Sequence, residues 1–261
     1  MAGAAQAAPL DLTALPPADI VVVGEVHDDP VHHENQAAVI AALSPRSVVF
    51  EMLTPERAAG WDPGLVGDPE ALDAALGWSE AGWPVIDLYL PVFEAVPEDA
   101  AVLGAAPPEA AVRAAVEMGA AAAFEAIGDP APFALGEPLP TAQRDARVAL
   151  QGAAHCDALP ADLLPGFVEA QRLRDAAFAL AALDALEAHG PPVVLVVGNG
   201  HARTDWGVPA AVARAAPGIR VHAIVQAPGG AGALPADAVV TTPAPPEPRA
   251  DPCAGFARPG G

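Results

Sequence analysis

The sequence contains no lysine; all 12 of its basic residues are arginines. This rules out a G-x-x-x-x-G-K-[ST] phosphate loop, whose lysine reaches the terminal phosphates of a nucleotide. We read the missing lysine as a coding bias that also favours Ala, Pro and Gly. There is no G-x-S-x-G elbow either, so a serine nucleophile of the α/β-hydrolase kind has no place. No apolar run reaches the roughly 20 residues that span a bilayer. Tyrosine occurs once, as Tyr89 among aliphatic neighbours, a setting read first as core packing. The two cysteines, Cys156 and Cys253, are too far apart for a C-x-x-C metal or redox motif. They are either independent thiols or a disulfide that pins the C-terminal end.

Basic charge is scarce, and the formal net charge is -21. So acidic a surface repels phosphate backbones and anionic lipid heads, which excludes nucleic acid and anionic membrane as partners. Small cations, metal-centred ligands and neutral molecules are compatible with it. Residues 1–9 have the small-residue composition of the end of a secretory signal, without its charged and apolar regions. The chain is therefore either cytoplasmic or an envelope protein whose signal has been replaced by Met1.

What the sequence does contain is one phrase written twice. Ile20 to His27 is an apolar, β-branched run that breaks into Gly24-Glu25-Val26-His27, and Val193 to His201 repeats it as a run ending in Gly198-Asn199-Gly200-His201. Such runs, without polar alternation, read as strands buried on both faces of a parallel sheet. The glycine of each G-x-x-H is expected to let the backbone turn sharply at the strand end. Ligands of open α/β sheets bind beyond the carboxyl ends of the strands, where both histidines fall.

Along the chain the pattern predicts further strands at 47–50, 100–106 and 221–225, with a possible edge strand at 238–242. Helices are predicted over 30–43, capped by Asp29 with Pro30 at the first position, and from Thr54-Pro55, Asp68-Pro69, Glu109, Leu163 and Gly207-Val208-Pro209. Residues 119–140, rich in alanine and proline, suggest no element. The fold class is α/β, a mostly parallel sheet with helices on both faces. Residues 1–19 are expected to be a flexible segment, 20–227 the α/β domain, and 228–261 a Pro/Ala/Gly-rich tail.

Glu51 follows the second predicted strand, which places it at the same edge as His27. His32, His33 and Gln36 lie on the first two turns of the helix after His27. Two imidazoles with Glu25 and Glu51 suit three chemistries. They could hold a divalent metal through His27, His201 and Glu51. They could run general acid–base hydrolysis with Glu25, His27, Glu51 and His201. Or they could form a pocket for a cofactor whose iron takes an axial ligand and whose carboxylates take Arg203 or Arg174.

In order, Gly24-Glu25-Val26-His27-Asp28, His32-His33 with Gln36, Phe50-Glu51-Met52-Leu53, Gln171 with Arg174-Asp175, and Gly198-Asn199-Gly200-His201-Ala202-Arg203 with Gly207-Val208-Pro209 resemble the ChaN family of the Tiki superfamily. The resemblance runs from about residue 20 to 225. It implies a haem-binding protein of the bacterial envelope or periplasm, often a lipoprotein, that acts in haem or iron uptake and forms a homodimer around haem. Relatives in the superfamily are metal-dependent proteases or esterases, so the alternative function is a metal-dependent hydrolase with a divalent ion. By position the resemblance implies His27, His33, Glu51, Gln171, His201 and Arg203 as cofactor-binding residues, with Glu25 beside them. The sequence departs from the family in showing no lipobox cysteine. A tyrosine axial ligand could only be Tyr89, and if that residue is buried, iron ligation falls to a histidine or does not occur. An envelope location also favours the Cys156–Cys253 disulfide.

Overall fold

The computed structural model describes residues 15–230, 232, 234–244 and 253. The flexible N-terminal segment expected for 1–19 therefore lies, over 1–14, outside the described residues, as does most of the expected tail beyond 244. The chain forms two compact units, residues 1–106 with 175–244, and residues 107–174 with 245–261.

The first unit is built on six parallel strands: β1 (Ile20–Glu25), β2 (Ser47–Phe50), β3 (Ala101–Gly104), β4 (Val193–Gly198), β5 (Val221–Pro228) and β6 (Ala238–Thr242). The fold class is thus the α/β one expected, and the edge strand is present. Every residue of β1, β2 and β4 is buried, as unbroken Val/Ile runs require. These strands have no solvent side.

The sheet order is β3-β2-β4-β1-β5-β6. Beta-4, last but two in the chain, is inserted between β2 and β1. Ile20 pairs with Val193 and Glu25 with Gly198 on one side of it, and Ser47 with Val193 and Phe50 with Val196 on the other. Three segments distant in sequence therefore end side by side. The carboxyl end of β1 runs into His27, that of β2 into Glu51, and that of β4 into a short helix, Asn199–Ala202, that carries His201.

The helix Pro30–Leu43 starts as the sequence predicts, with the Asp29 carboxylate accepting from Val31 N and Pro30 at the first position. It buries His32, His33 and Gln36 together with Val39 and Ile40. Below the strand ends lies an aromatic cluster in which Phe50 stacks on Phe93 at 5.0 Å and Trp78 meets Tyr89 edge-on at 4.6 Å.

The glycines of the G-x-x-H phrases act differently from expectation. Neither takes a left-handed conformation, and both are strand residues. Their requirement is close approach: a Cβ on Gly24 would lie 2.4 Å from Asn199 Oδ1 and 3.1 Å from the Ile224 carbonyl oxygen. The space is occupied because Asn199 bonds the Gln226 backbone on both sides, accepting from its N–H at 2.9 Å and donating to its carbonyl at 2.8 Å.

In the second unit, helices Glu109–Met118, Ala120–Phe124 and Thr141–Ala154 accompany the first part of the long helix Leu164–His189. The helix over 141–154 escapes the sequence pattern because the side it buries is Arg147, Gln151 and Gly152, with no apolar stripe to reveal it. Ala120–Phe124 is a helix within the stretch 119–140 that suggested none. Glu169 accepts from Ala120 N and pairs with Arg172, whose other terminal nitrogen donates to the carbonyls of Ala134 and Glu137. Cys156 and Cys253 form a disulfide, with Cα atoms 5.4 Å apart.

Gly24→Ala is expected to destabilise the protein by about 1–3 kcal/mol through overpacking against Asn199 and Ile224. The measurement is a lowered urea midpoint with an unchanged m-value.

Candidate functional site

The carboxyl ends of β1, β2 and β4 bring together Glu25, His27, Glu51 and His201, as the repeated phrase suggests. The centre is Glu25, whose side chain is wholly buried. Its Oε1 accepts from His27 Nδ1 at 2.6 Å and from the Tyr89 hydroxyl at 2.5 Å. Its Oε2 faces His33 Nε2 at 3.3 Å, outside hydrogen-bond geometry.

His201 repeats the arrangement. Its Nδ1 bonds Asp175 Oδ1 at 2.7 Å, and its Nε2 lies 3.6 Å from Glu51 Oε1. Phe178 closes on the imidazole edge-to-face at 4.9 Å. Glu51 is itself held by the Gly198 backbone N–H, which donates to Oε2 at 2.6 Å. Each imidazole thus gives Nδ1 to a carboxylate and directs Nε2 away from it. Such a carboxylate fixes the ring tautomer and raises the basicity of the other nitrogen, as in histidines that ligate metals.

The two rings differ in access. The His27 side chain is 33% exposed and that of His201 is 12%, so His27 is the one a ligand can reach. Trp83 flanks it at 5.0 Å between ring centroids and is anchored by its indole N–H on the Met52 carbonyl. A Cβ on Gly198 would lie 3.0 Å from His27 Nε2 and 3.6 Å from Glu51 Oε2. The second glycine of the repeat therefore lets the His27 ring pack closely against the end of β4.

The other candidates take supporting places. His32 is buried; its Nδ1 accepts from Val26 N at 2.8 Å, which leaves the proton on Nε2 to donate to Thr242 Oγ1 at 3.0 Å. That imidazole ties the end of β1 to β6. His33 is also buried, its ring tilted against that of Tyr89 with centroids 4.0 Å apart. Gln36 donates to the Val23 carbonyl. The Arg203 guanidinium is buried, paired with both carboxylate oxygens of Asp205 and lying 3.4 Å above the Trp206 ring. Gln171 and Arg174 belong to the second unit.

Tyr89 is fully buried with its hydroxyl on Glu25, the condition under which the sequence leaves iron ligation to a histidine or to no residue. Asp175, the orienter of His201, stands in the stretch Gln171 with Arg174-Asp175 that carries the family resemblance, but it was not a site candidate because charge on a polar helix face reads as solvated. Gln226, which donates to the carbonyls of Gly24 and His32 and accepts from Asn35, gave no signal at all within an apolar strand.

Among the described residues no group of three His, Cys, Asp or Glu side chains converges in a way that could hold a metal ion. None of the described helices is long and apolar enough to cross a membrane.

The fold is that of an α/β protein with a pair of carboxylate-bound histidines at its strand ends. A family model described as haem-binding uptake, Tiki superfamily, ChaN, matches residues 12–212, and the chain belongs to that family. Among solved structures, the one of cofacial haem binding to ChaN of Campylobacter jejuni is similar, with a TM-score of 0.65 and 20% identity over 85% of this chain and 86% of that one. It shares the fold. The type III effector HopBA1 is a weaker likeness, with a TM-score of 0.39 and 16% identity over 82% and 79% of the two chains. No curated protein matches the chain.

The charges at the site set a pH dependence. Burial pushes the Glu25 carboxyl up, but the His27 hydrogen bond and the nearby His33 outweigh it and hold the group at about 2. Burial pushes the His27 imidazole down, yet its bond to Glu25 and the charges of Glu51 and Glu25 raise it on balance, with His201 opposing. A lowered carboxyl contributes stability that is present above its unfolded value of about 4.3 and lost as the pH falls toward 2; a raised imidazole contributes stability that is present below about 6.5 and lost as the pH rises through its folded value. The thermal midpoint is expected to fall on both sides accordingly. Glu25→Gln should flatten the acid limb.

Proposed function

We propose that this protein binds haem at the carboxyl edge of the sheet, with His27 as the axial ligand of the iron. The observation that carries the proposal is the His27 ring itself, which holds its Nδ1 on the buried Glu25 while its side chain stays one-third exposed. The donor set fits the group: a neutral imidazole with a carboxylate behind it is an iron ligand of the globin and peroxidase kind. When bound, the haem iron supplies the acceptor for that nitrogen. Trp83, beside the His27 ring, offers an aromatic wall to the porphyrin, and His201 and Glu51 stand at the neighbouring strand ends.

Charge does not drive this binding. The chain carries -21, and Arg203 is already paired with Asp205. Apolar contact and iron ligation supply the affinity. A haem needs a single axial nitrogen, whereas a divalent ion needs several converging donors, and this favours haem over the metal-dependent hydrolase.

Hemin titration of the purified chain should give a saturable Soret change. His27→Ala should lose it or weaken it at least about tenfold. Gly198→Ala, which sets a methyl group 3.0 Å from His27 Nε2, should weaken hemin binding as well and lower the unfolding midpoint. Absence of saturation in the wild type would sink the reading. Affinity should rise with pH as His27 gives up its second proton.

We infer further that the protein works in the bacterial envelope, in haem or iron uptake, and that two copies associate when haem is bound. The family and the Cys156–Cys253 disulfide support this, since structural disulfides persist in oxidising compartments. Alkylation of the native host's extracts under denaturing conditions should leave both cysteines unmodified until a reductant is added. Sedimentation velocity should show a shift from monomer to dimer on loading with hemin, and an unchanged monomer would overturn the association.

A further inference from the structure

We propose that Tyr89 is a positioning residue for His27 that sets, through Glu25, how strongly the imidazole donates to the iron, an inference that rests on the haem reading. Two donors share one oxygen: Glu25 Oε1 takes the His27 Nδ1 proton at 2.6 Å and the Tyr89 hydroxyl proton at 2.5 Å. The second oxygen, Oε2, faces His33 Nε2 at 3.3 Å, outside hydrogen-bond geometry. A carboxylate oxygen that already accepts a phenol proton pulls less on a second one. The Nδ1 proton therefore stays nearer the imidazole, and the ring has less imidazolate character than a histidine bonded to an unshared carboxylate would have.

The phenol is built to do only this. Its ring is clamped between His33, at 4.0 Å, and Trp78, at 4.6 Å, and Trp78 is in turn fixed by its indole N–H on the Pro84 carbonyl. The hydroxyl is fully buried and aimed at Glu25, with the His27 ring nitrogen and carbonyl oxygen next nearest at 3.4 Å each. Burial and the adjacent Glu25 charge both oppose its ionisation, so it stays a donor. An iron-ligating tyrosine is a phenolate at the ligand surface, and Tyr89 is neither.

Because this is the only tyrosine of the chain, the donor can be weakened or strengthened by itself. Tyr89→Phe deletes it. Biosynthetic replacement of tyrosine by 3-fluorotyrosine alters the one residue and makes its more acidic hydroxyl a stronger donor. In the haem-free full chain, the NMR resonance of the His27 Nδ1 proton should move downfield in Tyr89→Phe and upfield in the fluorinated protein. In the hemin-loaded chain, the reduction potential should become more negative in the first and more positive in the second, with hemin affinity within about threefold of the wild type.

Opposite signs are what a shared acceptor predicts and what a merely structural phenol cannot produce. Shifts of one sign in both proteins, or none in either, would overturn the proposal, as would a loss of hemin affinity beyond about tenfold in Tyr89→Phe, the mark of a direct iron ligand. Should Tyr89→Phe fail to fold, the fluorinated protein still decides. Should the wild type fail to bind hemin, the haem reading falls by itself, and the haem-free resonances still report whether Tyr89 and His27 compete for Glu25.

Discussion

The parallel pairing of β4 between β1 and β2 is the constraint on which the site depends. It sets the carboxyl ends of three strands next to one another, and each end carries a different part: Glu25 and His27, Glu51, and the short helix with His201. The crowding this creates is severe. Gly24 and Gly198 are glycines because a methyl group at either would meet Asn199 or His27. The repeated G-x-x-H is therefore a packing requirement of two adjacent parallel strands before it is a chemical motif.

The polar groups buried at this edge are held by one another. Taking a charge out of water costs several kcal/mol unless hydrogen bonds and opposite charges replace the lost hydration. Glu25 meets that cost with His27, Tyr89 and the nearby His33, and Glu51 with the Gly198 N–H and His201. Gln226 and Asn199 satisfy backbone groups where the ladder of β1, β4 and β5 runs out. This division of labour explains why so many side chains of a ligand type, His32 and His33 among them, are buried away from solvent while one imidazole remains in reach of it. It also gives a net acidic site on an acidic protein, compatible with a ligand recognised through its metal centre and its apolar face.

Much of this was legible in the residue order. The unbroken Val and Ile runs require strands without a solvent side, Asp29-Pro30 marks a helix start, and two G-x-x-H phrases at strand ends place Glu25, His27, Glu51 and His201 at one edge. Those inferences rest on local rules of backbone and burial, which act within a few residues. The helix at 141–154 was not legible, because its buried side is Arg147, Gln151 and Gly152, and periodicity reveals a helix only when the buried stripe is apolar.

The sequence by itself determined most of the element types, the edge of the sheet at which these side chains gather, and the strongly acidic net charge. Only the tertiary structure decided which histidine is accessible, that Tyr89 serves Glu25 from inside the core, that Asp175 orients His201, and that Cys156 and Cys253 are bonded. The physical reason is the same in each case. A strand run or a cap depends on neighbours along the chain, whereas access, shared acceptors and disulfide pairing depend on which distant segments the sheet order and the packing of each unit bring within a few ångströms.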